Sequence, residues 1–212
     1  MILAFKLTLE QAVARLRDGE PLVFPTETFF GLGCKATDHG AVSRVARCKT
    51  RPEDKPLPVV AGSVEQLGVL SEGFPELARQ NCLEALAARF WPGPLAVLLP
   101  ARKELPLPLQ GDTGHVAVRV CGHPLARRLC LEVGEPLVAT SANQAGAPPA
   151  ARVARLDPDL VRAAGGYVYQ EPDPMGGLPS TIVAILEKGS LRVVREGVVP
   201  STALSELGFR VA

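Results

Sequence analysis

The apolar positions change period several times along the chain, and each change predicts an element. Leu9, Val13 and Leu16 recur at helical spacing behind Thr8 and Gln11, a capping-box pair, and Gly19 follows. Residues 8–17 are therefore predicted to be a helix. Leu22, Val23 and Phe24 form a continuous apolar run that predicts a short buried strand ending at Pro25. Asp38 stands where an N-cap belongs, with Ala41, Val42 and Val45 on the inward face of a second helix. Residues 57–61 read as a strand, and Ser63 with Gln66 starts a short helix. Residues 75–90 are the longest predicted helix, with Leu77, Leu86 and Phe90 among its apolar positions, and Trp91-Pro92-Gly93-Pro94 breaks it.

Residues 95–99 are a continuous apolar strand, 103–112 a loop bearing Pro and Leu, and 116–120 an alternating strand. A helix with Pro at its start covers 124–132, and 136–140 is a strand. Residues 180–186 and 191–194 pair as a hairpin across Lys188 and Gly189. Alternating strands and helices predict an α/β sandwich with a mixed sheet.

Composition narrows the class. The 212 residues, 47% apolar and 21% charged, suit one globular domain over 1–212. The 23 basic and 22 acidic residues give a net charge of +1, which argues against non-specific nucleic-acid binding. No apolar run reaches the roughly 20 residues that cross a bilayer. The N-terminus lacks the basic start and long apolar region of a signal peptide. The five cysteines, Cys34, Cys48, Cys82, Cys121 and Cys130, form no C-x-x-C pair, so the expected setting is a reducing cytoplasm with free thiols. His39, His115 and His123 do not join them at zinc-ligand spacing. Neither a P-loop nor a dinucleotide-binding glycine motif is present.

Four stretches carry candidate chemistry. In "FPTETFFGLGCKATD", residues 24–38, two hydroxyls and a carboxylate (Thr26, Glu27, Thr28) follow a strand and precede a loop hinged on Gly31 and Gly33. They either line a ligand crevice at a strand end or satisfy backbone groups in a connection. In "CKTRPEDKPLPVV", residues 48–60, Lys49, Arg51 and Lys55 sit in a segment stiffened by Pro52, Pro56 and Pro58, which suits a polyanion such as a triphosphate; the alternative is a solvated basic loop. In "ATSANQAGAPP", residues 139–149, Thr140, Ser141 and Asn143 follow a strand and either bond a nucleotide or cap a turn. Arg119 and Arg195 interrupt valine-rich strands; each either faces water or forks onto a carboxylate or phosphate in a cavity. Cys34 has no histidine partner in sequence and reads as a buried thiol, and His123 before Pro124 belongs to a helix entry.

In chain order, "PTETFFGLG", "KTRPEDKPL", "WPGPL", "VAVRVCGHPLA", "TSANQAGAPP", "PSTIV" and "RVVREG" resemble the YrdC-like family, the threonylcarbamoyl-AMP synthases that begin synthesis of N6-threonylcarbamoyladenosine in tRNA. The resemblance implies the YrdC-like α/β fold, a twisted mixed sheet with flanking helices around a large positively charged cavity. It implies that L-threonine, bicarbonate (or CO2) and ATP become threonylcarbamoyl-AMP and pyrophosphate, with Mg2+, and that the product passes to tRNA threonylcarbamoyl-transfer proteins. By position, Thr28 would touch threonine, and Arg119 would take its carboxylate, helped by Ser180. Lys49, Arg51 and Lys55 would hold the phosphates and carry the catalysis. Ser141 and Asn143 would bind the nucleotide, with Arg195 near the phosphate and adenosine end.

Phe30 stands where many members have Tyr, Ala145 where Ser is usual, Pro179 where Glu often precedes "ST", and Glu196 where Pro often follows the arginine. The chain resembles the short, single-domain form. Two other readings remain open on the sequence: a carbamoyl-transfer relative, and a module with weak binding to double-stranded RNA or tRNA. A ligand-sensing paralogue is disfavoured by the five cations Lys49, Arg51, Lys55, Arg119 and Arg195.

Overall fold

The computed structural model describes residues 2–49, 56–74, 81–186 and 189–211. Local signals behave as expected at the start. The first helix, α1 (Leu9–Arg17), closes its capping box: Gln11 N–H donates to Thr8 Oγ1 at 3.2 Å, and Thr8 N–H to Gln11 Oε1 at 2.9 Å. Asp38 caps α2 (His39–Cys48) by accepting from Ala41 N–H at 2.9 Å. The expected cap at Ser63 is not used as such. Residues Glu65–Val69 form a 3-10 turn, and Gln66 instead accepts from Gly62 N–H and donates to Cys130 O, both at 2.8 Å.

The strands form two mixed sheets rather than one. The five-stranded sheet runs β1 (Lys6–Leu7), β9 (Tyr167–Val168), β2 (Leu22–Pro25), β3 (Phe30–Gly33), β8 (Thr140–Ser141). The seven-stranded sheet runs β12 (Arg210–Val211), β11 (Ser190–Arg195), β10 (Thr181–Ile185), β5 (Leu95–Pro100), β6 (His115–Val120), β4 (Val59–Ala61), β7 (Leu137–Val138). Both mix directions: β2 is antiparallel to β3 and parallel to β9, while β5 is antiparallel to β6 and parallel to β10.

Central strands are buried on both faces, so they read as unbroken apolar runs. Along β2, Val23 belongs to one core cluster, and Leu22 and Phe24 to the other. Along β4, Val59 and Ala61 face the first cluster and Val60 the second. The second cluster is roofed by α1 and α5 (Pro124–Val133), through Val13, Leu16, Leu125 and Leu129.

Three more expectations change. The segment hinged on Gly31 and Gly33 is strand β3, not a loop. Gly33 is there for contact: a Cβ at that position would lie 1.7 Å from Val138 O. Residues 103–112 contain α4 (Leu107–Gln110) and a 3-10 turn at Gly111–Thr113, because proline is tolerated in the first turn of a helix and Leu109 is buried. The run 136–140 is not one strand. Residues 137–138 pair with β4 and 140–141 with β3, so the chain passes from one sheet to the other at Ala139, whose N–H donates to Pro58 O at 2.9 Å. The long helix is seen as α3 (Asn81–Phe90); its expected first residues, 75–80, lie outside the described residues, as does Lys188 of the β10–β11 hairpin. Near the C-terminus, α6 (Ser201–Ser205) leads to β12, which pairs in parallel with β11 at the sheet edge.

The contact at Gly33 makes a prediction. Gly33→Ala should destabilise the fold by about 3 kcal/mol or more, at or beyond the top of the usual overpacking range. Gly31→Ala should cost much less, since a Cβ there meets Thr26 Cγ2 at 3.5 Å and Ala139 Cβ at 3.6 Å, ordinary contact distances. Urea denaturation of the two variants checks the contrast.

Candidate active site

The chain leaves β2 at Pro25 and turns at once. Thr26 sends both its N–H and its hydroxyl to Phe29 O, at 3.0 and 2.7 Å, so that hydroxyl stabilises the turn. The turn aims Glu27 toward the neighbouring sheet and leaves Thr28 facing a cavity of about 310 Å3 between the two sheets. The cavity is lined by Thr28, Arg119, Ser141, Ser180 and Arg195, with Phe29, Pro58, Pro149 and Pro179 as apolar wall.

Arg119 sits on β6 with its side chain 4% exposed, against 7% for Glu27. Arg119 Nη2 donates to Glu27 Oε2 at 3.1 Å and Nε to Oε1 at 3.4 Å. Gly122 N–H adds a bond of 2.7 Å to Oε1, and the Cys121 thiol one of 3.3 Å to Oε2. Burial by itself would raise the Glu27 pKa. The Arg119 charge and these hydrogen bonds outweigh it and hold the carboxyl at about 2.

Lys49 ends α2 and is 6% exposed. Its Nζ donates to Ser141 O at 2.8 Å, to Asn143 Oδ1 at 3.1 Å, and to Asn143 O. The ammonium therefore ties down the turn that follows β8. Asn143 turns its amide nitrogen to Gln144 O at 3.0 Å and Ala147 O at 2.5 Å. Arg195, at the end of β11, forks onto Ser180: Nε and Nη2 donate to its carbonyl at 3.1 and 2.8 Å, and Nη2 to its hydroxyl at 3.0 Å.

A strap at 172–180 closes one side. Met175 N–H donates to Glu27 O and Gly176 N–H to Thr28 O, both at 2.8 Å. His123 holds the start of the strap. It caps α5 by accepting from Leu125 N–H at Nδ1, so Nε2 carries the proton and donates to Pro172 O at 2.8 Å. Cys34 is buried in the core, and burial pushes its thiol up to about 12, which fits an inert cysteine.

Of the residues singled out in the sequence, the cavity gathers Thr28, Arg119, Ser141, Ser180 and Arg195. Lys49 and Asn143 stand one step behind it. Arg51 and Lys55 lie outside the described residues. The sequence offers a carboxylate as a partner for Arg119 and a cation as a partner for Glu27 without joining the two, and it gives no sign of the strap. A signal for the pair existed: each charge interrupts an otherwise apolar segment, and a buried charge requires a partner.

The sequence model of the family Sua5_yciO_yrdC, described as "Telomere recombination", matches residues 14–197. A Stenotrophomonas maltophilia protein named threonylcarbamoyl-AMP synthase is 41% identical over 191 residues, covering 88% of this chain and 98% of that protein. The crystal structure of Pyrococcus abyssi Sua5 complexed with L-threonine superposes with a TM-score of 0.81 at 32% identity; the match covers 98% of this chain and 60% of that one, so this chain spans about three fifths of it. The crystal structure of Escherichia coli YciO gives a TM-score of 0.74 at 26% identity, covering 92% of this chain and 91% of that one. The matched span runs from within α1 to just past Arg195 and so takes in both cavity walls: the chain belongs to the Sua5/YciO/YrdC family.

Proposed function

We propose that this chain is an L-threonylcarbamoyladenylate synthase, a nucleotidyl-transferring enzyme. It joins L-threonine, bicarbonate (or CO2) and ATP into threonylcarbamoyl-AMP and pyrophosphate, and the product serves modification of tRNA. The observation that carries this reading is the cavity between the sheets. Hydroxyls and guanidinium groups converge there, in a chain that aligns with proteins of that name along nearly their whole length.

The chemistry suits such a wall. The threonine amine adds to CO2 and loses a proton, giving a carbamate. A carbamate oxygen then attacks the α-phosphorus of ATP, and the bond to the β-phosphate oxygen breaks as pyrophosphate leaves. The substrate supplies the nucleophile, so the protein has to hold two anions together and meet charge as it moves to the leaving group. In this reading Thr28 and Ser180 contact threonine, and Arg119 receives its carboxylate. Ser141 and Arg195 meet the nucleotide, on a turn that Lys49 and Asn143 hold, and Arg51 and Lys55 meet the phosphates.

Magnesium would arrive on the ATP phosphates. Among the described residues no cluster of three His, Cys, Asp or Glu groups could hold a metal. The carboxylate beside the cavity, Glu27, has its oxygens on Arg119, Cys121 and Gly122. Among the described residues no helix is long and apolar enough to cross a membrane. The five free thiols support a cytoplasmic setting, with tRNA threonylcarbamoyl-transfer proteins as the recipients of the product.

Pyrophosphate release from ATP, with bicarbonate and a panel of amino acids, tests the reading. The expected result is release that requires both L-threonine and bicarbonate. Release with carbamoyl phosphate in place of the amino acid would point to carbamoyl transfer. No release, together with salt-sensitive RNA binding, would point to a binding module.

A further inference from the structure

Glu27, in the turn between β2 and β3, and Arg119, on β6 of the other sheet, are 92 residues apart in the chain and meet almost out of contact with solvent. Their geometry is one-sided. Glu27 takes Nε and Nη2, the edge of the guanidinium away from Nη1. Arg119 lines the cavity, and among the described residues no protein group takes Nη1. The carboxylate is itself fixed by Gly122 N–H and the Cys121 thiol. Gly122 has little freedom to move away, since a Cβ there would sit 3.1 Å from Glu27 Cγ and 3.3 Å from Gly93 Cα.

We propose that Glu27 is a positioning residue for the amino-acid substrate. It locks the Arg119 guanidinium from behind, so that Nη1 is presented to the cavity where a substrate carboxylate docks. An arginine on a flexible stem otherwise samples many rotamers, and ordering it costs binding free energy at each encounter. The Glu27 clamp makes that ordering part of the folded state. This inference rests on the proposed reaction, because it assigns the carboxylate of threonine to Arg119. It also removes Glu27 as the base that takes the proton from the amine: both of its oxygens already accept hydrogen bonds, and it stays ionised at neutral pH.

The test compares L-threonine with L-threoninol, which keeps the side chain and amine but lacks the carboxylate. Binding is measured by calorimetry on the unaltered chain, Glu27→Gln, Glu27→Asp and Arg119→Gln. The unaltered chain should prefer threonine. In Glu27→Gln the amide nitrogen opposes a donor on Arg119 or Gly122. The preference should therefore fall at least 10-fold, toward that of Arg119→Gln, with the KM for ATP little changed. Glu27→Asp keeps the charge but is one methylene short, and should fall in between; it also serves if Glu27→Gln fails to fold. A purely structural pair would lower the melting temperature and leave the threonine-to-threoninol ratio intact, and that result overturns the proposal. If the unaltered chain binds threonine without preferring it to threoninol, the carboxylate assignment fails with it. If it binds neither, the proposed reaction itself fails.

Discussion

Replacing Arg119 with leucine is expected to reverse the pH dependence of stability. In the unaltered chain the folded-state pKa of Glu27 is about 2, below the ordinary 4.5. Its stabilisation is therefore fully present above about 4.5 and is lost as pH falls through about 2. A shift of that size corresponds to roughly 3 kcal/mol. Without Arg119, burial becomes the dominant influence, and it raises the pKa of the carboxyl. The variant then carries a buried, unpaired charge at neutral pH, which costs about 3–5 kcal/mol. Acid relieves that cost by protonating Glu27, so the variant should gain stability as pH falls toward 4.5, over a range where the unaltered chain does not. Urea denaturation at a series of pH values checks this. Parallel curves for the two proteins would mean that the pair is not the electrostatic unit described here.

The second large effect is expected at Lys49. Read as a sequence, it is one of three cations in a phosphate-binding loop. In the fold, its ammonium bonds the backbone of Ser141 and both oxygens of Asn143. Lys49→Met keeps most of the apolar stem and removes the donors. Three carbonyl oxygens then lose a charged partner in a poorly hydrated place, which should cost about 1–3 kcal/mol of stability. Ser141 lines the cavity and shares that turn, so displacing it by about 1 Å should lower kcat/KM for ATP about 100-fold. Threonine binding by calorimetry should change far less. Full ATP use in a Lys49→Met protein of lowered melting temperature would show that the turn needs no such tie. Equal losses for both substrates would place Lys49 in direct contact with the reacting groups.

The sequence was most readable where one element decides its own form. Thr8 with Gln11, Asp38 before α2 and Pro124 at the start of α5 are local devices, and each sits where expected. The apolar runs of β2 and β5 were equally plain. The misreadings share a cause: the deciding partner is distant in the chain. Gly33 resembles a hinge until Val138 is known to press against it. Residues 136–140 resemble one strand until Val59 and Leu32 claim its two parts for different sheets. The same holds for the site. Thr28, Ser141, Arg119 and Arg195 are legible from strand ends and from charges within apolar segments, whereas Ser180 enters only through the family resemblance. What Arg119 and Lys49 touch is not legible, because a long side chain reaches partners 92 to 94 residues away.

The strand order of the larger sheet bears on how the protein is made. β10 lies between β5 and β11, yet it is synthesised some eighty residues after β5. Until residues 181–185 leave the ribosome, the apolar strand 95–99 can pair with β6 on one side only. Its other edge is open, and an open apolar edge is a template for pairing with a second chain. The last part of the chain therefore does more than supply Ser180 and Arg195. It seals the edge along which unfinished molecules would otherwise aggregate.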